Sequence, residues 1–348
     1  MYMVDTTQKT VYFLGAGASA ASDFKLPTME KFFEGANFTA AEYKNLQQFI
    51  EYKFSCQPIE NLNLEEVVTT IELSLDTFGA LGKHPEPYIY EARTELNKYV
   101  ANRLEIDTSK GCKTLEKIIT PKMAGGSSAG SIITLNYDLV IDTLITKHIP
   151  KESESLLGRT YDLLGYDPRG SARAITDGVP IFYSRDGKTG FYLKLHGSID
   201  WLYCLNPNCG HHQIFWPNRL DDKDERAHSE PGAPCTLCGM PIVSVIIPPT
   251  MHKTFEKFPK LGFLWSLAYR ELNIADKIVV FGVSFAPSDY YLRWLFKKAI
   301  TDRKNKPTII DIDKDSKVCD KIEKITGVTP EYFPTLEEYL NRASKSQT

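Results

Sequence analysis

Several features are scarce in this chain of 348 residues, and each scarcity excludes something. No apolar run reaches the roughly 20 residues that span a bilayer, so no membrane-crossing helix is expected. Met1 to Gln8 hold no basic stretch followed by an apolar one, which removes the secretory-signal pattern and makes the expected location cytoplasmic. Long Lys/Arg runs are missing and the formal net charge is -3, so direct nucleic-acid binding is not expected. Cysteines number 7: four lie between 204 and 238, while Cys56, Cys112 and Cys319 are scattered. That pattern reads as one metal site plus three lone thiols, not as a disulfide framework. Internal repeats and low-complexity tracts are also missing. The length is enough to bury a large core, in one large domain or two smaller ones.

What is there begins at Val11-Tyr-Phe-Leu-Gly-Ala-Gly-Ala-Ser-Ala20. Four apolar residues read as a buried parallel strand and run straight into Gly15, Ala16, Gly17 and Ser19. One glycine permits a tight turn, the second lets backbone approach a pyrophosphate, and a small residue lets the next helix pack closely. Taken alone, Gly-Ala-Gly also occurs in turns that hold no ligand.

Residues from about 30 to 122 read mostly helical. The clearest segment starts at Asn63 and places Leu64, Val67, Val68, Ile71 and Leu75 at helical spacing. Asn63 with Glu66 resembles a capping box, and a second helix is expected from Pro87 to Leu104. This stretch is too long for a plain crossover and reads as an inserted helical subdomain. Gly125 to Gly130 is a connector, and 151–190 reads as loops with short strands. Further strands are expected at Ser131–Leu135, Phe191–Leu195, Ser244–Pro248, Lys277–Phe281 and Pro307–Asp313. Helices are expected after Asp138 and from Leu261 to Leu272. Ser288 is the expected cap of a helix with apolar face Leu292, Leu295, Phe296 and Ala299.

Strands alternating with helices predict an α/β fold: a doubly wound, Rossmann-like parallel sheet with the helical insertion and a small zinc-binding module. Ser19, Asn136, Asp138, His196, Ser284 and Asp313 all fall at or just past strand C-termini, where open α/β sheets bind ligands. Asn136 and Asp138 could instead cap the following helix, and Gly282-x-Ser284 could be a plain strand-to-helix turn. His84, His148 and His252 have no companion motif and read as structural.

Cys204, Cys209, Cys235 and Cys238 form two pairs suited to a tetrahedral thiolate site for structural Zn2+. The second pair is a good knuckle; the first is wider than usual. His211, His212 and His228 lie between the pairs, so one of them could replace a cysteine, and Arg219 to His228 reads as a charged, solvated loop.

In order, these motifs resemble the sirtuin superfamily, specifically its prokaryotic sirtuin-like branch. Gly15 to Ser19 is similar to the sirtuin cofactor turn. Thr134-Leu-Asn136-Tyr-Asp138 is similar to the branch's catalytic motif, and His196-Gly197 to the catalytic His-Gly. Ala275 to Ser284 is similar to the late strand ending in Gly-x-Ser, and Asp313 sits where the family places an adenosine-ribose contact, often with Asn. A structural four-cysteine zinc site occupies the same place in the family's order. The resemblance spans roughly 11 to 313 and implies NAD+ as substrate. It implies His196 as general base, Asn136 orienting a ribose hydroxyl or water, Asp138 on the carboxamide, and Gly15, Ala16, Gly17, Ser19, Gly282, Ser284 and Asp313 around the cofactor. The expected division is 9–30 with 123–203 and 241–348 as the NAD-binding domain, 31–122 as the insertion and 204–240 as the zinc module.

Two departures separate the chain from protein-deacylating sirtuins. Phe24-Lys-Leu-Pro27-Thr-Met29 lacks the Phe-Arg of their cofactor loop, and Val245-Ile-Ile-Pro-Pro249 replaces the strand that clamps an acyl-lysine peptide. Proline has no N–H to give such a ladder. The resemblance therefore implies an NAD+ glycohydrolase, an NAD-depleting effector of bacterial anti-phage defence. It is expected to be held in check by homo-oligomerisation or a partner sensor. The alternative is an NAD-dependent protein lysine deacylase; a third reading is a non-catalytic nucleotide-binding module. A dehydrogenase is disfavoured because no second strand ends in Asp or Glu roughly 20 residues after the glycines, Glu34 lying in a helical context.

Overall fold

The computed structural model describes residues 9–36, 38, 41–55, 57–80, 87–107, 111–123, 131–148, 181–183, 189–212, 214, 231–247 and 258–345. The 125–130 connector, residues 151–180, the 219–228 loop, Pro248, Pro249, Cys56, His84, His228 and His252 lie outside the described residues.

Among the described residues the sheet has seven strands. They are β1 (Thr10–Leu14), β2 (Ile132–Thr134), β3 (Ile181–Tyr183), β4 (Thr189–Lys194), β7 (Lys277–Phe281), β8 (Thr308–Ile312) and β9 (Glu331–Phe333). Their order is β3-β4-β2-β1-β7-β8-β9. Six run parallel; only β3 pairs antiparallel, with β4. After β1 the chain moves outward through β2 to β4, then returns to the other side of β1 at β7. That reversal is the topological switch point at which doubly wound sheets open a crevice.

Alternation along the strands explains the two faces. Val11, Phe13, Ile133, Leu193, Ile278, Val280 and Ile309 point into one core, against α7 (Pro259–Ile274), α8 (Tyr290–Thr301) and α9 (Lys317–Thr326). Leu14, Ile132, Tyr192, Val279, Phe281, Ile310 and Ile312 point into the other. Both faces are covered, so the strands read as continuous apolar runs rather than alternating ones.

That second core is shared with the helical insertion. Between α1 (Ala16–Ala20) and β2 stand α2 (Lys44–Lys53), α3 (Leu64–Ala80), α4 (Pro87–Arg103) and α5 (Lys113–Met123). Leu64, Val67, Val68 and Ile71 are buried as the spacing predicts. Asn63 accepts from the Glu65 N–H at 2.8 Å, so it serves α3 as a helix-start side chain. The C-terminal α10 (Leu336–Lys345) adds Leu336 and Tyr339 to this core, and α6 (Val140–His148) follows β2.

The expected strand near Val245 forms, as β6 (Ile242–Ile246), but outside the parallel sheet. It pairs antiparallel with β5 (Gly197–Cys204) in a separate two-stranded ribbon. Arg93 of α4 ties the insertion to this ribbon. Its guanidinium is buried, bonds Glu72 of α3 at 2.7 Å and reaches the Ser244 carbonyl at 3.3 Å. No described helix is long and apolar enough to cross a membrane.

Candidate active site

The C-terminal ends of β1, β2, β4, β7 and β8 open into a cavity of about 630 Å³. Gly15, Ala16, Gly17, Ser19, Asn136, Asp138, His196, Gly282, Ser284 and Asp313 all line it. The structure thus brings the sequence-predicted residues of five strand ends to one place. The insertion closes the opposite side with Asn63, Glu65 and Leu104 and with Lys113, Thr114 and Lys117 of α5.

The floor is two turns pressed together. Gly15 N–H donates to the Phe281 carbonyl at 2.9 Å and Gly17 N–H to the Gly282 carbonyl at 3.0 Å. A Cβ on Gly17 would stand 2.6 Å from Gly282 Cα, and Gly282 itself has φ +65°. Only glycines allow this approach. Since Gly15 and Gly17 give their amides to Phe281 at the end of β7 and to Gly282 just past it, the Ala16 N–H at the start of α1 is the turn's donor with no intrahelical partner.

Beside the floor, Ser19, Asn136 and Asp138 form a relay. Asn136 Nδ2 donates to the Gly15 carbonyl at 3.0 Å and to Ser19 Oγ at 2.9 Å. Ser19 Oγ donates to Asp138 Oδ2 at 2.7 Å. Asp138 Oδ1 accepts from the Val140 N–H at 3.1 Å, so Asp138 also caps α6. Burial, the largest influence, raises the Asp138 pKa, opposed by Lys194 and by the Ser19 hydroxyl. Asn136 Oδ1 is buried with no hydrogen-bond partner within the described protein. It is an acceptor at the cavity wall, suited to a hydroxyl or water that donates.

His196 is 4% exposed, and its Nε2 lies 3.2 Å from Asp289 Oδ2. The ring stacks near Trp265, centroids 6.0 Å apart, and Trp265 Nε1 donates to the Leu195 carbonyl at 2.9 Å. The His196 carbonyl accepts from Ile247 N–H at 2.8 Å, fixing the backbone from the ribbon side. Asp289 is placed to accept from an Nε2–H, which favours the neutral tautomer that carries its proton there. A histidine held by a buried carboxylate is the arrangement of an oriented base.

Two residues of this site were not evident in the sequence. Asp289, not Ser288, is the cap of α8: its Oδ1 accepts from Leu292 N–H at 3.2 Å while Oδ2 meets His196. Its helix-start position was the available signal, and two adjacent cap-type residues made it ambiguous. Lys194 stands fully buried beneath the Asn136–Asp138 turn, giving Nζ to the Asp138 carbonyl at 2.7 Å and to Asp142 at 2.9 Å. A lysine inside an apolar strand was the signal for it.

Ser284 is exposed, its carbonyl taking Lys321 Nζ at 2.8 Å. Asp313, just past β8, lies at the rim and accepts from Lys314 N–H at 2.6 Å. Asp311, two residues earlier within β8, is fully buried, with Cys319 Sγ at 3.2 Å from Oδ2.

At the end of the ribbon, Cys204, Cys209, Cys235 and Cys238 place their sulfurs within 4.8 Å of one another. Cys204 and Cys238 are 3.5 Å apart, Cys209 and Cys235 3.7 Å. Tetrahedral zinc with its usual Zn–S bonds sets sulfurs about 3.8 Å apart, so the cluster fits the ion. Asn206 and His211 N–H groups each approach the sulfur two residues earlier at 3.4 Å, as in a metal knuckle. His211 Nδ1 lies 3.3 Å from Cys235 Sγ, beside the four sulfurs rather than among them. Zinc here would have no open coordination position, so its contribution is to hold the ribbon's end.

Fold and site define an α/β protein with a ligand cavity at the switch point of its sheet. No protein-family model and no curated protein matches the sequence. Among solved structures, a mutant Sir2 homologue in complex with ADP-ribose is similar over 98% of this chain and 92% of its own, at 15% identity and TM-score 0.48. A Sir2 variant with deacetylated p53 peptide and 3'-O-acetyl-ADP-ribose is similar over 97% and 93%, at 14% identity and TM-score 0.46. A Sir2 complex with p53 peptide and NAD+ is similar over 97% and 93%, at 13% identity and TM-score 0.42. At these values what those proteins bind remains a statement about them.

Proposed function

We propose that this chain is an NAD+ glycohydrolase, cleaving NAD+ to nicotinamide and ADP-ribose. The observation that carries the proposal is the convergence of the glycine turn, the Ser19–Asn136–Asp138 relay and the Asp289-held His196 on one cavity.

Breaking the nicotinamide–ribose bond builds oxocarbenium character at the anomeric carbon. Catalysis of that step requires a held pyrophosphate, a held nicotinamide and a placed nucleophile. The Gly15–Ser19 turn and Gly282 form the surface close enough for a pyrophosphate. Asp138 stands ready to accept from the carboxamide N–H, its backbone fixed by Lys194. The acceptor Asn136 Oδ1 orients a water or ribose hydroxyl, and His196 takes a proton from the group it orients. Asp289 stabilises the imidazolium that results.

The peptide-dependent alternative is less supported by the ribbon. A peptide adding to β6 on its outer edge would meet groups already engaged. Ile242 N–H donates to the Ala233 carbonyl at 2.9 Å, its carbonyl takes Gly232 N–H at 2.6 Å, and Arg93 bonds the Ser244 carbonyl. The reading as a defence effector rests on the sequence resemblance and carries with it control by self-association or a sensor partner; undiminished activity of a dilute, partner-free preparation argues against that control.

The test is nicotinamide release measured with and without an acetyl-lysine peptide, with product analysis by chromatography. Peptide-independent release with ADP-ribose as co-product supports the hydrolase. Release only with peptide, giving an acetylated ADP-ribose, replaces it with the deacylase.

A further inference from the structure

A second cavity, of about 540 Å³, lies between α8 and α9 on the outer surface. Among described residues it shares only Phe285 with the principal cavity. Its size falls in the range of small-ligand sites. Two kinds of side chain dominate it. Tyr290 and Trp294, one helical turn apart on α8, are 52% and 49% exposed, so large aromatic surface faces water here. Arg293 and Lys297 of α8 and Lys321 and Lys324 of α9 surround them. Among the described residues, no Asp or Glu lines the cavity. Lys298, also at its rim, is neutralised by Asp302 at 2.7 Å.

A chain of net charge -3 has no general reason to gather four cations, of which Lys321 lies near the Asp315 carboxylate, round two exposed rings. A planar base can stack on an indole or phenol face, and guanidinium and ammonium groups bind phosphate. An acidic peptide would use the cations and leave the rings idle; an apolar partner would use the rings and strand the cations. A ligand carrying both a flat ring and phosphates satisfies both. The cavity is bounded on two helices, which favours a small molecule over a polymer.

We infer that the α8–α9 cleft is a second, peripheral binding site for a phosphorylated nucleoside, its base on Trp294 and Tyr290 and its phosphates on Arg293, Lys297, Lys321 and Lys324. Lys321 also holds the Ser284 carbonyl, so an occupant would contact the same loop that borders the principal cavity. The binding itself does not depend on the activity proposed above.

ATP binding to the full chain is measured by titration calorimetry without NAD+, and the cleft variants below separate this site from the principal cavity. Inorganic triphosphate and a short single-stranded oligonucleotide serve as comparison probes. The expected result is ATP binding that weakens about 5- to 100-fold in Trp294→Ala, the effect of removing one stacking platform. Lys297→Glu with Lys324→Glu should weaken it at least tenfold, with the melting temperature of both variants near wild type because all three side chains are exposed. The inference is overturned by no ATP binding, by unchanged affinity in both variants, by triphosphate binding as well as ATP, or by much tighter binding of the oligonucleotide.

Discussion

Gly282→Ala tests how the site is assembled. Gly282 has φ +65°, where an alanine costs about 1–2 kcal/mol. A methyl group there would meet Gly17 Cα at 2.5 Å and would crowd Gly17 C and Ala18 N as well. These are backbone atoms with no rotamer to escape into, so forcing the turns apart adds about 1–3 kcal/mol. The sum is about 2–5 kcal/mol. Gly327 supplies the control: its φ is +68°, and an added Cβ meets nothing within 4 Å. Gly327→Ala therefore reports the backbone contribution alone, about 1–2 kcal/mol. Urea unfolding of both variants measures the difference, and equilibrium binding of NAD+ measures the consequence for the cavity. Gly282→Ala should lose more stability than Gly327→Ala and should lose NAD+ affinity, whereas Gly327→Ala should bind normally. Equal stability losses, or full NAD+ affinity in Gly282→Ala, would refute the claim that the two turns are built on each other.

Asp289→Asn keeps the shape but loses the charge that supports an imidazolium, so turnover should fall about 100-fold or more with little change in NAD+ affinity; steady-state kinetics and binding separate the two. Burial raises the Asp311 pKa to about 6, so the folded chain holds that proton more tightly than the unfolded one and loses stability as pH rises from about 4 through 6. Asp311→Asn should remove that loss, gaining about 2–3 kcal/mol relative to wild type at pH 8 and little at pH 4; parallel pH profiles of urea midpoints would count against it. The chain should carry one zinc per molecule by elemental analysis. Cys204→Ser should lose it and melt at lower temperature, and a full complement of zinc in that variant would contradict the four-sulfur site.

Much of the sheet was legible because parallel strands buried on both faces leave continuous apolar runs. Val11–Leu14 and Ile278–Phe281 are such runs, and Ile132–Leu135 is broken only by Thr134; each is followed by polar or glycine residues that mark its C-terminal end. The helix from Leu64 was legible for the complementary reason: Leu64, Val67, Val68 and Ile71 repeat at helical spacing and face the core, while Leu73 falls outside that stripe and is exposed. The ribbon was harder. Gly197–Cys204 carries an irregularity between Ser198 and Leu202 that breaks the strand period, and its partner β6 comes some forty residues later. An apolar run such as Ile242–Ile246 does not say which sheet it joins. Three-residue β9 is too short to show any period.

The candidate site was legible as a set of strand ends but not as a network. That Asn136 gives both amide hydrogens to protein and keeps only Oδ1 for a ligand follows from where β1 and β2 lie side by side. That Asp289 reaches His196 follows from where the start of α8 lies beside the end of β4. Neither relation has a local sequence signature, because each is set by register between segments more than ninety residues apart in the chain.

The most direct measurement is the fate of NAD+ alone. Wild type and His196→Ala are incubated with NAD+ across a series of protein concentrations, without acyl peptide, and the products are separated by chromatography beside a binding measurement. The account predicts nicotinamide and ADP-ribose from wild type, and from His196→Ala NAD+ that is bound but left intact. NAD+ intact at every wild-type concentration, or cleavage undiminished in His196→Ala, would contradict it.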